Sequence, residues 1–141
     1  MKKIICLIVI ALMIASVAFA AAKITAKDLA GLKGTWIGSL DFGTRGYSTP
    51  CTLEILNDTV PVKAKLMLSN VPGDMASSLG VMAGSNEFNL DDGQLTSQGT
   101  IFWFSPEGEK NIFEVSMRRE NKLNATYWFR TIRGNALVKK K

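Results

Sequence analysis

Residues 34–43 read GTWIGSLDFG. Trp36, Gly38, Leu40 and Phe42 fall on one face at a period of two, Thr35, Ser39 and Asp41 fall on the other, and Ile37 is the exception. Successive side chains of extended backbone point to opposite sides, so this is the pattern of a strand that is dry on one face and wet on the other. A glycine on the dry face leaves space for a bulky neighbour and lets a twisted strand bend. Trp36 is therefore expected to lie across the floor of a closed sheet.

The same alternation continues outward from this stretch. Cys51, Leu53 and Ile55 oppose Thr52 and Glu54; Val60, Val62, Ala64, Leu66 and Leu68 oppose Lys63, Lys65 and Ser69. In NEFNLDDGQLT (residues 86–96), Phe88 and Leu90 share a face ahead of Asp92-Gly93, a dipeptide suited to a tight hairpin. Further turns read at Pro106-Glu107-Gly108 and Glu120-Asn121-Lys122, with Phe113, Val115 and Met117 alternating between them. A long strand runs from about Leu123 to Ile132, and GNALVKK closes the pattern. These segments add up to about eight strands joined by short turns, an all-β chain. Pairing the first strand with the last removes both exposed edges, which favours an antiparallel up-and-down barrel over a sandwich.

Two segments interrupt the alternation. AAKITAKDLAGLKG is expected to form a helical turn around Ala26 to Leu32 that covers one barrel end. NVPGDMASSLGVMAGSN (residues 70–86) is a long connection in which Asp74 caps a turn and Met75, Leu79 and Met82 share a face at helical spacing. That trio reads either as a fixed plug in the barrel mouth or as a lid over it.

The N-terminal MKKIICLIVIALMIASVAFAAAK has a basic start, an apolar run and a small-residue exit, the plan of a secretory signal peptide. Residues 1–20 form the expected signal helix, with an alternative end at 22 and an uncleaved anchor as the other reading. Residues 23–138 then make one barrel domain and residues 139–141 a solvated basic tail. About 120 of the 141 residues remain after cleavage, enough for a single core. The expected location is exported, periplasmic or extracellular, with no integral membrane span after cleavage. Cys6 leaves with the leader, so Cys51 has no partner for an internal disulfide and reads as a small buried hydrophobe.

Charge and chemistry exclude several function classes. Of the net +5, Lys2 and Lys3 go with the leader and Lys139, Lys140 and Lys141 account for the remainder, so the body is near neutral. Binding a phosphate backbone needs basic groups spread over a face, and nucleic acid is not an expected partner. The chain has no histidine, which removes Ser-His-Asp and Cys-His machinery and histidine-bearing metal sites. Asp91-Asp92 and Glu107/Glu109 flank expected turns, where carboxylates face solvent, and no phosphate-cradling glycine spacing is present. The chain is read as no enzyme, with no cofactor and no metal. The acceptor patterns Asn57-Asp58-Thr59 and Asn124-Ala125-Thr126 are assigned no role.

Gly34-Thr35-Trp36 in the first strand, with Trp103 in IFWFS and Trp128 in ATYWFRT, resembles the small secreted up-and-down barrels of the calycin type, the lipocalins and avidins. The resemblance implies a barrel around an apolar interior. It does not extend to biotin: Ile37 and Gly38 stand where polar contacts follow the first tryptophan, and RTIRGNALVKKK contains no tryptophan.

The leading functional expectation is an exported barrel binding a small, largely apolar ligand in its mouth, gated by Val71 to Asn86. The contacts would be Tyr47, Met75, Leu79, Met82, Trp103 and Tyr127, the tyrosines supplying polar handles. The alternative is a ligand-free interaction or structural module with a solid core. IFWF is apolar on both faces, Ile101 and Trp103 pointing one way and Phe102 and Phe104 the other. Its outer face calls for cover by a homodimer mate or an envelope protein partner.

Overall fold

The computed structural model describes residues 22–104, 112–119 and 121–141. The alternating segments form β1 (Gly34–Asp41), β2 (Ser48–Ile55), β3 (Val62–Val71), β4 (Gly84–Leu95), β5 (Thr100–Phe104), β6 (Ile112–Arg119), β7 (Lys122–Phe129) and β8 (Ile132–Lys140). Each strand pairs antiparallel with the next, and β8 returns to β1, giving a closed eight-strand barrel. Two short helices, α1 (Leu29–Leu32) and α2 (Gly73–Leu79), sit at opposite ends of the barrel. The first enters β1 and the second connects β3 to β4.

Closure is made by Trp36 opposite Lys140, Ile37 opposite Lys139 and Asp41 opposite Asn135. Gly38 lies in this seam. A Cβ there would come within 2.7 Å of the Leu137 carbonyl oxygen and 2.9 Å of Val138 Cγ1. The glycine expected to make room for a bulky side chain thus makes room for the last strand itself.

Inside the barrel, Trp36, Phe42, Trp103 and Tyr127 are among the largest fully buried side chains, surrounded by Leu40, Leu53, Leu66, Leu68, Ile101 and Val115. Each large apolar side chain removed from water contributes about 1.5–3 kcal/mol, so this lining supplies the drive for closure. Ile37, which broke the alternation in the sequence, points outward and is exposed.

The N-terminal segment seals the α1 end. Ile24 is buried and its N–H donates to the Gly99 carbonyl at 2.8 Å. Asp28 accepts from both the N–H and the hydroxyl of Thr25 at 2.7 Å, and these bonds hold its carboxyl below the usual carboxylate range. Leu29 and Leu32 face the core, and the Leu32 carbonyl accepts the Trp36 indole N–H at 2.8 Å. Trp36 does form the floor, and it is bonded to the helix beneath it.

Several expectations are corrected. Asp92-Gly93 is no hairpin: β4 continues through it with a break in register against β3 between Val62 and Ala64, and Gly93 pairs with Val62. The chain turns instead at Thr96–Gly99, where Gly99 takes φ +78 and its N–H donates to the Thr96 carbonyl at 3.0 Å. Gly93 serves packing, because the Trp103 indole fills the space its side chain would need. Val60 lies outside β3, exposed and followed by Pro61. Lys139 and Lys140 are not tail but the end of β8, and the Lys141 N–H donates to the Thr35 carbonyl at 2.9 Å. The expected signal helix, the turn at Pro106-Glu107-Gly108 with Glu109, and Glu120 lie outside the described residues.

Candidate functional site

The residues expected to line a mouth do not form one set. Tyr127 is buried, and its hydroxyl donates to the Leu79 carbonyl at 2.7 Å. Leu79, at the end of α2, is itself fully buried. Burial pushes the Tyr127 phenol well above its ordinary pKa. Gly80 ends α2 in the left-handed conformation, so Met82 falls beyond the helix and is 71% exposed, off the face shared by Met75 and Leu79. Met75 is half-buried against the core. Trp103 is directed away from this end: its indole N–H donates to the Val62 carbonyl, at the start of β3, at 2.8 Å.

Tyr47 is the remaining member. Its ring stacks on Phe42 with centroids 6.0 Å apart, and Phe42 meets Tyr127 edge-on at 6.1 Å. Tyr47, Tyr127 and Leu79 therefore gather at the α2 end with Phe42 as the spacer. The Tyr47 hydroxyl is the one buried side-chain polar atom without a hydrogen-bond partner among the described residues. A buried phenol ordinarily finds an acceptor, and its absence costs about 1–3 kcal/mol.

The outer wall carries a second feature. Ile101 and Trp103 are fully buried on the inner face of β5, while Phe104 on the outer face is 63% exposed. Phe102 meets Phe104 edge-on with centroids 4.6 Å apart, and Trp128 on β7 lies 6.3 Å from Phe102. The Arg133 guanidinium stands 5.6 Å over the Trp128 ring. Sequence reasoning found the double-sided strand but missed Trp128, whose outward direction follows from the alternation of Leu123, Ala125, Tyr127 and Phe129 into the core.

Two clefts open on the barrel surface, the second of them reaching the buried Leu32, Trp36 and Leu123. One of about 380 Å³ runs over β6, β7 and β8 between Glu114, Asn124, Thr126 and Arg133. Another of about 510 Å³ lies at the α1 end, bordered by Lys27, Met117, Arg119, Asn121 and Lys140.

Cys51 is buried on β2, and desolvation raises its thiol pKa to about 11, with the Leu40 backbone hydrogen bond only partly opposing this. Such a thiol stays protonated at neutral pH, the opposite of what nucleophilic attack requires. Among the described residues no group of three or more Cys, Asp or Glu stands together as a metal site, and no helix is long and apolar enough to cross a membrane. Comparison with protein-family models, with curated proteins and with solved structures finds no match to this chain. The closed antiparallel eight-strand sheet is compatible with a calycin-like fold.

Proposed function

We propose that this protein is an exported, non-catalytic interaction module whose barrel is a solid scaffold and whose β5–β7 wall docks another protein of the cell envelope. The observation that carries the reading is the outward aromatic group of Phe102, Phe104 and Trp128, with Phe104 63% exposed. Aromatic side chains and arginine are the types enriched where protein surfaces meet, and contiguous apolar surface is otherwise disfavoured on a free monomer. The partner's chemistry follows from the rim. Arg133 over Trp128 calls for apolar side chains flanked by a carboxylate.

Site-specific photo-crosslinking in the native host tests this. A crosslinker at Phe104 should give one discrete adduct with a different protein, and the same group at Ile37 on the opposite wall should not. Trp128→Ala and Arg133→Glu should each abolish the adduct. A self-adduct, a lipid adduct, or equal labelling from both positions would overturn the reading.

A second reading is supported by the unpartnered Tyr47 hydroxyl: a small, largely apolar ligand at the α2 end, hydrogen-bonded to that phenol. Native mass spectrometry of protein from its own host separates the two. A reproducible small mass that Tyr47→Phe removes favours the ligand, and a clean apo mass favours the module.

A further inference from the structure

Strand register assembles, on the outer wall of the barrel, hydrogen-bonding side chains that the sequence disperses. In one row Glu114 on β6 is opposite Thr126 on β7, Thr126 is opposite Asn135 on β8, and Asn135 is opposite Asp41 on β1. In the next row Thr100 on β5 is opposite Ser116, and Ser116 is opposite Asn124. Neighbouring strands lie about 4.7–4.9 Å apart, so each row runs around the barrel with a polar group at every step across the strands. The 380 Å³ cleft lies over both rows, and through Asn124, Asn135 and Ala136 it continues into a recess of about 460 Å³ that reaches Ser39, Asp41 and Arg118.

The charges along this groove are balanced and uncommitted. Glu114 and Arg133 line its first part, Asp41 and Arg118 its second, and none of the four forms an ion pair among the described residues, whereas Lys65 and Glu87 do on β3 and β4. The Asn135 side-chain oxygen accepts from the Thr126 hydroxyl at 3.3 Å, which leaves both N–H donors of that amide for a ligand. An anion entering the groove meets Glu114 and Asp41, and a cation meets Arg118 and Arg133, so either sign encounters a like charge. An uncharged ligand rich in hydroxyl and amide groups meets neither obstacle. Asparagine and threonine side chains both donate and accept, and the two oxygens of a carboxylate can accept from two adjacent hydroxyls at once. Phe102, opposite Glu114 at the end of the first row, supplies an apolar edge beside these polar groups.

We propose that the β6–β8 wall is a binding site for an uncharged glycan chain lying across the strands, its hydroxyl and acetamido groups held by Glu114, Asn124, Thr126 and Asn135. The site adjoins the aromatic group but uses neither Phe104 nor Trp128, so it stands or falls separately from the protein partner proposed above.

Backbone amide NMR during titration with chitotetraose and with maltotetraose, both uncharged, tests the site. Shifts are expected around Ser116, Asn124, Thr126 and Asn135, and none around Lys65 on the far wall. The double variant Asn124→Ala/Asn135→Ala should weaken binding about tenfold, as the loss of one or two hydrogen bonds requires. Glu114→Gln, which keeps the side-chain shape, should weaken it in the same direction without moving the melting temperature. Phe104→Ala should leave it unchanged, and the polyanionic chain oligogalacturonate should bind more weakly than the uncharged chains. Binding of either sugar that the double variant loses supports the site and identifies the sugar class. No shifts with either sugar, shifts that persist in the double variant, loss of binding in Phe104→Ala, or tighter binding of oligogalacturonate would each overturn it.

Discussion

The indole of Trp103 occupies the place of a side chain at Gly93. A Cβ on Gly93 would fall 2.6 Å from Trp103 Cε2 and 2.6 Å from the Val62 carbonyl oxygen, the acceptor of the indole N–H. Backbone, ring and hydrogen bond are fitted to one another across β3, β4 and β5. Gly93→Ala should lower unfolding free energy by about 2–3 kcal/mol, because overpacking a filled core forces backbone or ring to shift. Gly93→Ala combined with Trp103→Leu should lose less than the two single changes summed, measured by urea denaturation.

The two tyrosines at the α2 end should respond in opposite directions. Tyr127→Phe strips the Leu79 carbonyl of its donor and should cost about 1–2 kcal/mol. Tyr47→Phe removes a buried hydroxyl that bonds nothing and should be neutral or stabilise by up to about 1 kcal/mol. Thermal denaturation of both variants beside the parent checks the pair.

Alkaline pH should weaken the fold through Cys51. Its pKa rises from 9.0 to about 11 on folding. A raised folded-state pKa means that its stabilisation is fully present below pH 9 and is lost as pH climbs toward 11. The loss amounts to at most about 3 kcal/mol. Tyr127, also raised, acts in the same direction at still higher pH. Cys51→Ala should flatten the decline of unfolding free energy between pH 9 and 11 while leaving the Tyr127 contribution in place.

Deleting Lys139, Lys140 and Lys141 should destabilise the barrel by about 2–4 kcal/mol, since it removes several closing hydrogen bonds at about 1 kcal/mol each. A solvated tail would be lost without effect. Lys139→Glu should instead stabilise by up to about 1 kcal/mol by relieving the contact with Lys122. That gain should fade in high salt, where surface charges are screened.

Most of the fold was legible in the alternation of single strands, because inward and outward positions follow from a period of two wherever one face is buried. Trp36, Leu53, Leu66 and Phe113 declared themselves in this way. What stayed hidden depended on neighbours distant in sequence. Asp92-Gly93 has the composition of a turn, yet a tryptophan on the next strand decides its conformation. The terminal lysines look like a tail until β1 and β7 supply their partners. Met82 shares helical spacing with Met75 and Leu79, but Gly80 stops the helix before it. Of the mouth residues, Tyr47, Tyr127 and Leu79 come together, whereas Trp103 bonds toward the other end.

The seam between β1 and β8 has a consequence for biogenesis. Synthesis delivers β1 early and its second neighbour last, so the ring stays open until residues 132–140 have emerged. Every shorter chain carries two unprotected margins able to recruit other polypeptides. Premature termination is therefore expected to yield sticky fragments rather than smaller working barrels, and quality-control proteases would meet them before any partner does.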